Sequence, residues 1–144
     1  MEQAANRQRI LVIMIVFGVI GLWVFAHTGE RIHTPRYNVP EVSLEQAKTM
    51  VDSGAMVIDV RGTKQFAFQH ISGALLLPLD MLRVGIPLSF DVTKDTSIIV
   101  YCNDGQKSGP EATHILRQAG YSRAVNLKSG FDGWQSAGLP TVKG

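Results

Sequence analysis

Cys102 is the only cysteine of the 144-residue chain, and it stands where the apolar run Ser97-Ile98-Ile99-Val100-Tyr101 gives way to the polar loop Asn103-Asp104-Gly105-Gln106-Lys107. A lone cysteine is commonly a small buried hydrophobe; this placement argues for a nucleophile. In a parallel α/β sheet, ligands bind at the carboxyl ends of strands, and a following helix offers backbone N–H groups and the positive end of its dipole. The thiolate is the reactive form of cysteine, and helix N-termini and nearby cations favour it. If the five loop residues curl around the sulfur, their N–H groups converge on one centre and form an anion-binding nest. Gly105 permits the positive φ angle such a curl needs, and Lys107 adds a cation. A carboxylate turned inward at Asp104 would oppose a thiolate or an anionic substrate, so Asp104 is expected to face solvent. Cys102 is therefore the candidate nucleophile, and Asn103, Asp104, Gly105, Gln106, Lys107 and Ser108 form the candidate binding set.

The elements that must hold this loop are legible around it. Ser43-Leu-Glu-Gln46 is a capping-box start for a helix that turns Leu44, Ala47 and Val51 to the core and stops at Gly54. Ala55 to Val60 reads as a strand covered on both faces. Thr63 is expected to cap a short helix through Phe66 and Phe68, Gly73 to Pro78 to run extended, and Pro78 to Arg83 to make a helical turn. Ser97 to Tyr101 is the second strong strand. Ser108-x-x-Glu111 reads as a second capping box, opening a helix from Gly109 to Ala119 that ends at Gly120. Arg123 to Leu127 is a further strand, and Phe131 to Ala137 closes with a helix through Trp134. Such alternation implies an α/β fold with a parallel sheet flanked by helices.

The first quarter differs. Ile10 to Ala26 is an uncharged apolar run ending near Trp23 and Phe25, long enough to span a bilayer, with aromatics at an interfacial position. Val24-Phe25-Ala26 after Arg7 and Arg9 also resembles a signal-peptidase site. The run is longer than a usual signal core and lacks a polar stretch before the cut, so an uncleaved anchor is expected. The chain then divides into a basic tail (1–9), a transmembrane helix (10–26), a linker (27–38) and a soluble domain (39–144). Arg7 and Arg9 on one side balance Arg31 and Arg36 on the other, leaving orientation to the short N-terminal tail, which places the domain outside the cytoplasm. From Tyr37 onward ten Lys or Arg meet ten Asp or Glu. A neutral domain lacks the concentrated basic face that nucleic acid requires. His27, His33, His70 and His114 show no metal-ligand spacing, a single cysteine excludes an internal disulfide framework and a cysteine zinc cluster, and no cofactor is called for.

Val57-Ile-Asp-Val-Arg61, Phe66, His70-Ile-Ser-Gly-Ala74, Val100-Tyr-Cys-Asn-Asp-Gly-Gln-Lys-Ser108, Ala119-Gly-Tyr121 and Gly130-Phe-Asp-Gly-Trp134 together resemble the successive signatures of a rhodanese-type sulfurtransferase domain, over nearly all of Val39 to Gly144. The resemblance implies a rhodanese-like α/β fold with a five-stranded parallel sheet, preceded here by the apolar segment. It implies that Cys102 cycles through a persulfide, taking a sulfane sulfur from a small donor such as thiosulfate and passing it to cyanide, a thiol or a protein acceptor. Asn103 to Lys107 then cradle the persulfide or the substrate anion, Asp59 and Arg61 are structural supports, and His70 and Trp134 pack or hydrogen-bond. Lys107 stands where the family often has arginine, and Asn103 and Asp104 make the loop less basic than in many relatives, which weighs against efficient use of thiosulfate. Gln65 and Gln69 replace a glutamate and a glycine of the second motif, and Ser129 replaces the first glycine of the last one.

Two other classes compete. Cysteine phosphatases and arsenate reductases have a similar loop one residue longer but need an arginine six places after the cysteine, where this chain has Ser108; without that planar fork the oxyanion loses its clamp. A rhodanese-like domain can also serve as a non-catalytic binding module, a reading that the retained cysteine disfavours.

Overall fold

The computed structural model describes residues 37–144. Five strands form one sheet in the order β1-β6-β5-β2-β4: β1 (Glu41–Val42), β6 (Ala124–Leu127), β5 (Ile98–Tyr101), β2 (Met56–Asp59) and β4 (Leu75–Leu76). Every neighbouring pair is parallel. Helices α1 (Leu44–Asp52), α2 (Thr63–Phe68), α3 (Leu79–Val84), α4 (Ser108–Gln118) and α5 (Gly130–Ser136) make the connections. A two-stranded antiparallel ribbon joins β3 (His70–Ile71) to β7 (Thr141–Val142). The expected α/β fold and five-stranded parallel sheet are present. The expected transmembrane helix, 10–26, the tail 1–9 and most of the linker 27–38 lie outside the described residues, among which no helix is long and apolar enough to cross a membrane.

Strand alternation sorts the core into two layers. Ile98 and Val100 of β5 join Ile58, Leu82, Ala112, Leu116 and Tyr121 under α3 and α4, and Cys102 continues on that side. Ile99 and Tyr101 point the other way, joining Val57, Ala47, Phe131 and Trp134 under α1 and α5. Ile98, Ile99 and Val100 are almost wholly buried, each contributing about 1.5–3 kcal/mol of apolar transfer. The parity that packs Tyr101 against α5 thus turns the next side chain, the thiol, toward the helix that follows it.

Ser43 caps α1 with the full reciprocal pair: its Oγ accepts from Gln46 N–H at 3.3 Å, while its own N–H donates to Gln46 Oε1 at 2.9 Å. Leu44 and Val51 pack at the margin of the second layer. Two local expectations fail. Ser108 is the first residue inside α4 instead of its cap, because the Lys107 carbonyl opens the helix by accepting from Glu111 N–H at 3.1 Å and the Glu111 carboxylate turns to Arg83. Gly62 rather than Thr63 precedes α2, with Gln65 Oε1 accepting the Gly62 N–H at 3.1 Å. Phe68 points outward, three-quarters exposed.

Candidate active site

Cys102 is the first residue beyond β5 and is 5% exposed. Two backbone bonds fix the base of its loop to α5: Cys102 O accepts from Phe131 N–H at 2.8 Å and Asn103 O from Asp132 N–H at 2.9 Å. Gly130, at φ +57°, makes that approach possible, since a Cβ there would run into the Asn103 and Cys102 carbonyls. The far side of the loop rests on the end of β6. Gly105 takes φ +74°, where a Cβ would run into the Leu127 and Lys128 carbonyls, and its own carbonyl accepts from Asn126 Nδ2 at 2.9 Å. Asn126 is fully buried and also donates to Glu41 Oε1 at 3.0 Å. Nothing local in the sequence marks it; it matters because β6 lies beside β5. Gly109 brings the start of α4 close to the sulfur, where a Cβ would lie 3.3 Å from Sγ and collide with Asn126 Oδ1.

Within the loop, the Gln106 N–H is taken by a side chain. Asp104 is exposed, but its carboxylate leans back: Oδ1 accepts from Gln106 N–H at 2.9 Å and lies 3.7 Å from Cys102 Sγ. That contact suits a thiol donor and becomes repulsive once the sulfur carries charge. Lys107 is exposed at the mouth of α4.

Cys102 lines a pocket of about 260 Å³ together with Asn103 and Ser108, Val60, Arg61, Gly62 and Gln65 after β2, Pro78 just before α3, and Leu79, Asp80 and Arg83 within it. Of the predicted binding set, Asn103 and Ser108 reach this lining, whereas Asp104, Gly105, Gln106 and Lys107 lie outside it. The two cations in the wall are arginines that sequence reasoning did not place there.

Arg61 belongs to a buried network. Its Nη2 donates to Asp59 Oδ2 at 2.7 Å and to Gln69 O at 2.7 Å, its Nε to Asp59 Oδ1 at 3.0 Å, and its Nη1 reaches Asn103 Oδ1 at 3.5 Å. The guanidinium lies 4.1 Å from the Phe131 ring centroid, a cation–π contact. Burial alone would make this cation easier to discharge; the hydrogen bonds and charge of Asp59 outweigh it and raise Arg61 above its ordinary pKa. Tyr101 Oη donates to Asp59 Oδ2 at 2.6 Å and accepts from Ile71 N–H at 3.1 Å. Burial first, then the bond to Asp59 and its charge, push the phenol well above its usual range. Asp59 and Tyr101 meet because they are register partners of β2 and β5.

Arg83 is the second wall cation, with its side chain half-exposed. Its Nε and Nη2 bind both oxygens of Glu111 at 2.7 and 2.9 Å, and Nη1 binds Asp80 Oδ1 at 2.9 Å. The hydrogen bond to Glu111, its charge and those of Asp80 raise the Arg83 pKa, with partial desolvation acting against them. His70 and Trp134 serve the frame: His70 Nδ1 bonds Phe66 O at 2.9 Å with its ring stacked on Phe66, and Trp134 Nε1 donates to Pro140 O at 3.0 Å.

A nearly buried thiol at the carboxyl end of the central strand, on a residue lining a small pocket beside a helix start, fits transfer of a group no larger than a few atoms. The rhodanese-like domain model matches residues 43–137. The chain belongs to the rhodanese-like sulfurtransferase family. Over 102 residues it is 35% identical to thiosulfate sulfurtransferase GlpE of Haemophilus influenzae (strain PittEE), covering 69% of this chain and 91% of that enzyme. It is also 35% identical over 88 residues to the uncharacterized protein slr1261 of Synechocystis, there covering 61% of this chain and only 47% of the other. Among solved structures, the human single-domain sulfurtransferase TSTD1 is similar at a TM-score of 0.62 and 28% identity, over 69% of this chain and 97% of that one. In this rhodanese-like domain the cysteine loop is suspended between α5 and β6, and its pocket cations come from the segment just after β2 and from α3.

Proposed function

We propose that the chain is a membrane-anchored sulfurtransferase working through a Cys102 persulfide. The Cys102 thiolate attacks the outer sulfur of a sulfane donor, thiosulfate being the simplest; the donor S–S bond breaks, sulfite leaves with the electron pair, and the sulfur remains as Cys102–S–S⁻. Cyanide, a small thiol or a protein thiol then takes that sulfur and regenerates the thiolate. Arg61 and Arg83 line the pocket that receives the donor, and Asn103 and Ser108 offer polar contacts at its wall. The carrying observation is the position of Cys102, just past the end of β5 and lining a pocket that Arg61 and Arg83 also line. Family membership and relatives named as sulfurtransferases support it.

The test is thiocyanate formation from thiosulfate and cyanide by the full chain in detergent. Activity in the native chain and its loss in Cys102→Ser, with the fold retained, are expected; turnover by the serine variant near the native rate overturns the reading. Residues 10–26 supply the anchor in this proposal, and the domain lies outside the cytoplasm. Carbonate-resistant membrane fractionation, with the N-terminal peptide retained, is expected. Labelling of Cys102 in intact cells by a membrane-impermeant thiol reagent tests the side, and protection until lysis reverses the orientation.

A further inference from the structure

The charges around the sulfur bear on which donor it accepts. Arg61 is matched by Asp59, and Arg83 is held by two carboxylates, Glu111 through both oxygens and Asp80 through one. Asp104 brings another carboxylate to 3.7 Å from Sγ. Three carboxylates therefore bind the two guanidinium groups, a fourth stands beside the sulfur, and Lys107 lies outside the pocket lining. Three of the five Arg83 N–H groups are committed to carboxylates, whose negative charge cancels the cation an incoming anion would meet.

We infer that the Arg83–Glu111–Asp80 cluster sets donor selectivity, disfavouring a dianion such as thiosulfate and favouring a sulfane donor of at most one negative charge, an alkyl persulfide R–S–SH. The inference rests on the sulfurtransferase reading and names the substrate class of that site. The chemistry balances: the Cys102 thiolate bonds to the terminal sulfur, the donor S–S bond (RS–SH) breaks, RS⁻ leaves with the electron pair, and Cys102–S–SH remains. Glu111 and Asp80 act as positioning residues, holding Arg83 and cancelling its charge where a second negative charge on the donor would need it. Glu111 is the stronger holder, its side chain 19% exposed against 90% for Asp80.

The test follows sulfur loading of Cys102 by quenched intact-mass analysis of the full chain in detergent, with thiosulfate and with the persulfide of 2-mercaptoethanol as the two donors. In the native chain the persulfide loads faster, and added salt accelerates thiosulfate by screening like charges. Glu111→Gln removes one negative charge and releases Arg83, so thiosulfate loading rises about tenfold while persulfide loading changes less than about twofold. Asp80→Asn acts in the same direction more weakly, and Arg83→Gln slows thiosulfate further. Thiosulfate loading unchanged or slower in both Glu111→Gln and Asp80→Asn, with sulfur still transferred, overturns the inference and leaves the sulfurtransferase reading standing. No loading from either donor in any variant overturns the sulfurtransferase reading itself.

Discussion

Replacing Arg61 by methionine tests the physical frame of the site. The substitution deletes every guanidinium bond to Asp59, the bond to Gln69 O and the contact over Phe131. Removing one partner of a buried ion pair costs about 3–5 kcal/mol, because the other charge is left in a poor dielectric. Here Asp59 keeps two donors, the backbone N–H of position 61 at 2.9 Å and Tyr101 Oη at 2.6 Å, which argues for the lower end. The Gln69 carbonyl and the lost cation–π contact add to it, and the apolar replacement returns part; about 3 kcal/mol is the balance. That is a large share of the roughly 5–15 kcal/mol that holds a domain folded. Urea titration of the full chain in non-ionic detergent reads it through Trp134, only 3% exposed, with Trp23→Phe present throughout to remove the other tryptophan. Adding Asp59→Asn to the Arg61→Met chain neutralises the stranded carboxylate and should recover about 1 kcal/mol or more. If Arg61→Met unfolds within about 1 kcal/mol of the parent, or the second substitution makes matters worse, the pair is not the support described.

Further outcomes follow from the same contacts. Tyr101 has a raised pKa in the folded chain, so only the unfolded state loses that proton as pH climbs past about 10, and stability present below that value is lost above it; Tyr101→Phe should flatten this alkaline limb while costing about 1–3 kcal/mol at neutral pH, since Ile71 N–H loses its acceptor. Gly105→Ala meets both a positive φ and two carbonyls, so thiocyanate formation should fall at least tenfold with a loss of about 1–3 kcal/mol in urea; native-like turnover would mean the loop is free to shift. Asn126→Ala frees the Gly105 carbonyl and Glu41, and should lower sulfur transfer together with about 1–3 kcal/mol of stability.

The frame was legible because it is written locally. Consecutive apolar residues marked β2 and β5, Ser43 and Gln46 marked the start of α1, and the break from Tyr101 to Asn103 marked the nucleophile's position. What escaped depends on partners distant in sequence. β1 is only the two residues that follow Pro40 and is held by its pairing with β6. The false cap at Ser108 came from a true local pattern whose glutamate is claimed by Arg83, 28 residues away. The loop was expected to supply its own cation through Lys107, yet the pocket wall takes Arg83 from α3 and Arg61 from the end of β2, a convergence set by sheet order. Asp104 had no local signal for leaning toward the sulfur, because its acceptor role depends on the curl that Gly105 and Asn126 enforce.

The most direct test of the central claim is the intact mass of the full chain after incubation with a sulfane donor in excess. A gain of one sulfur atom is expected, localised by peptide mapping to Cys102, reversed by a reducing thiol and absent from Cys102→Ser. A native chain that gains no sulfur, or a serine variant that gains it equally, would contradict the persulfide mechanism.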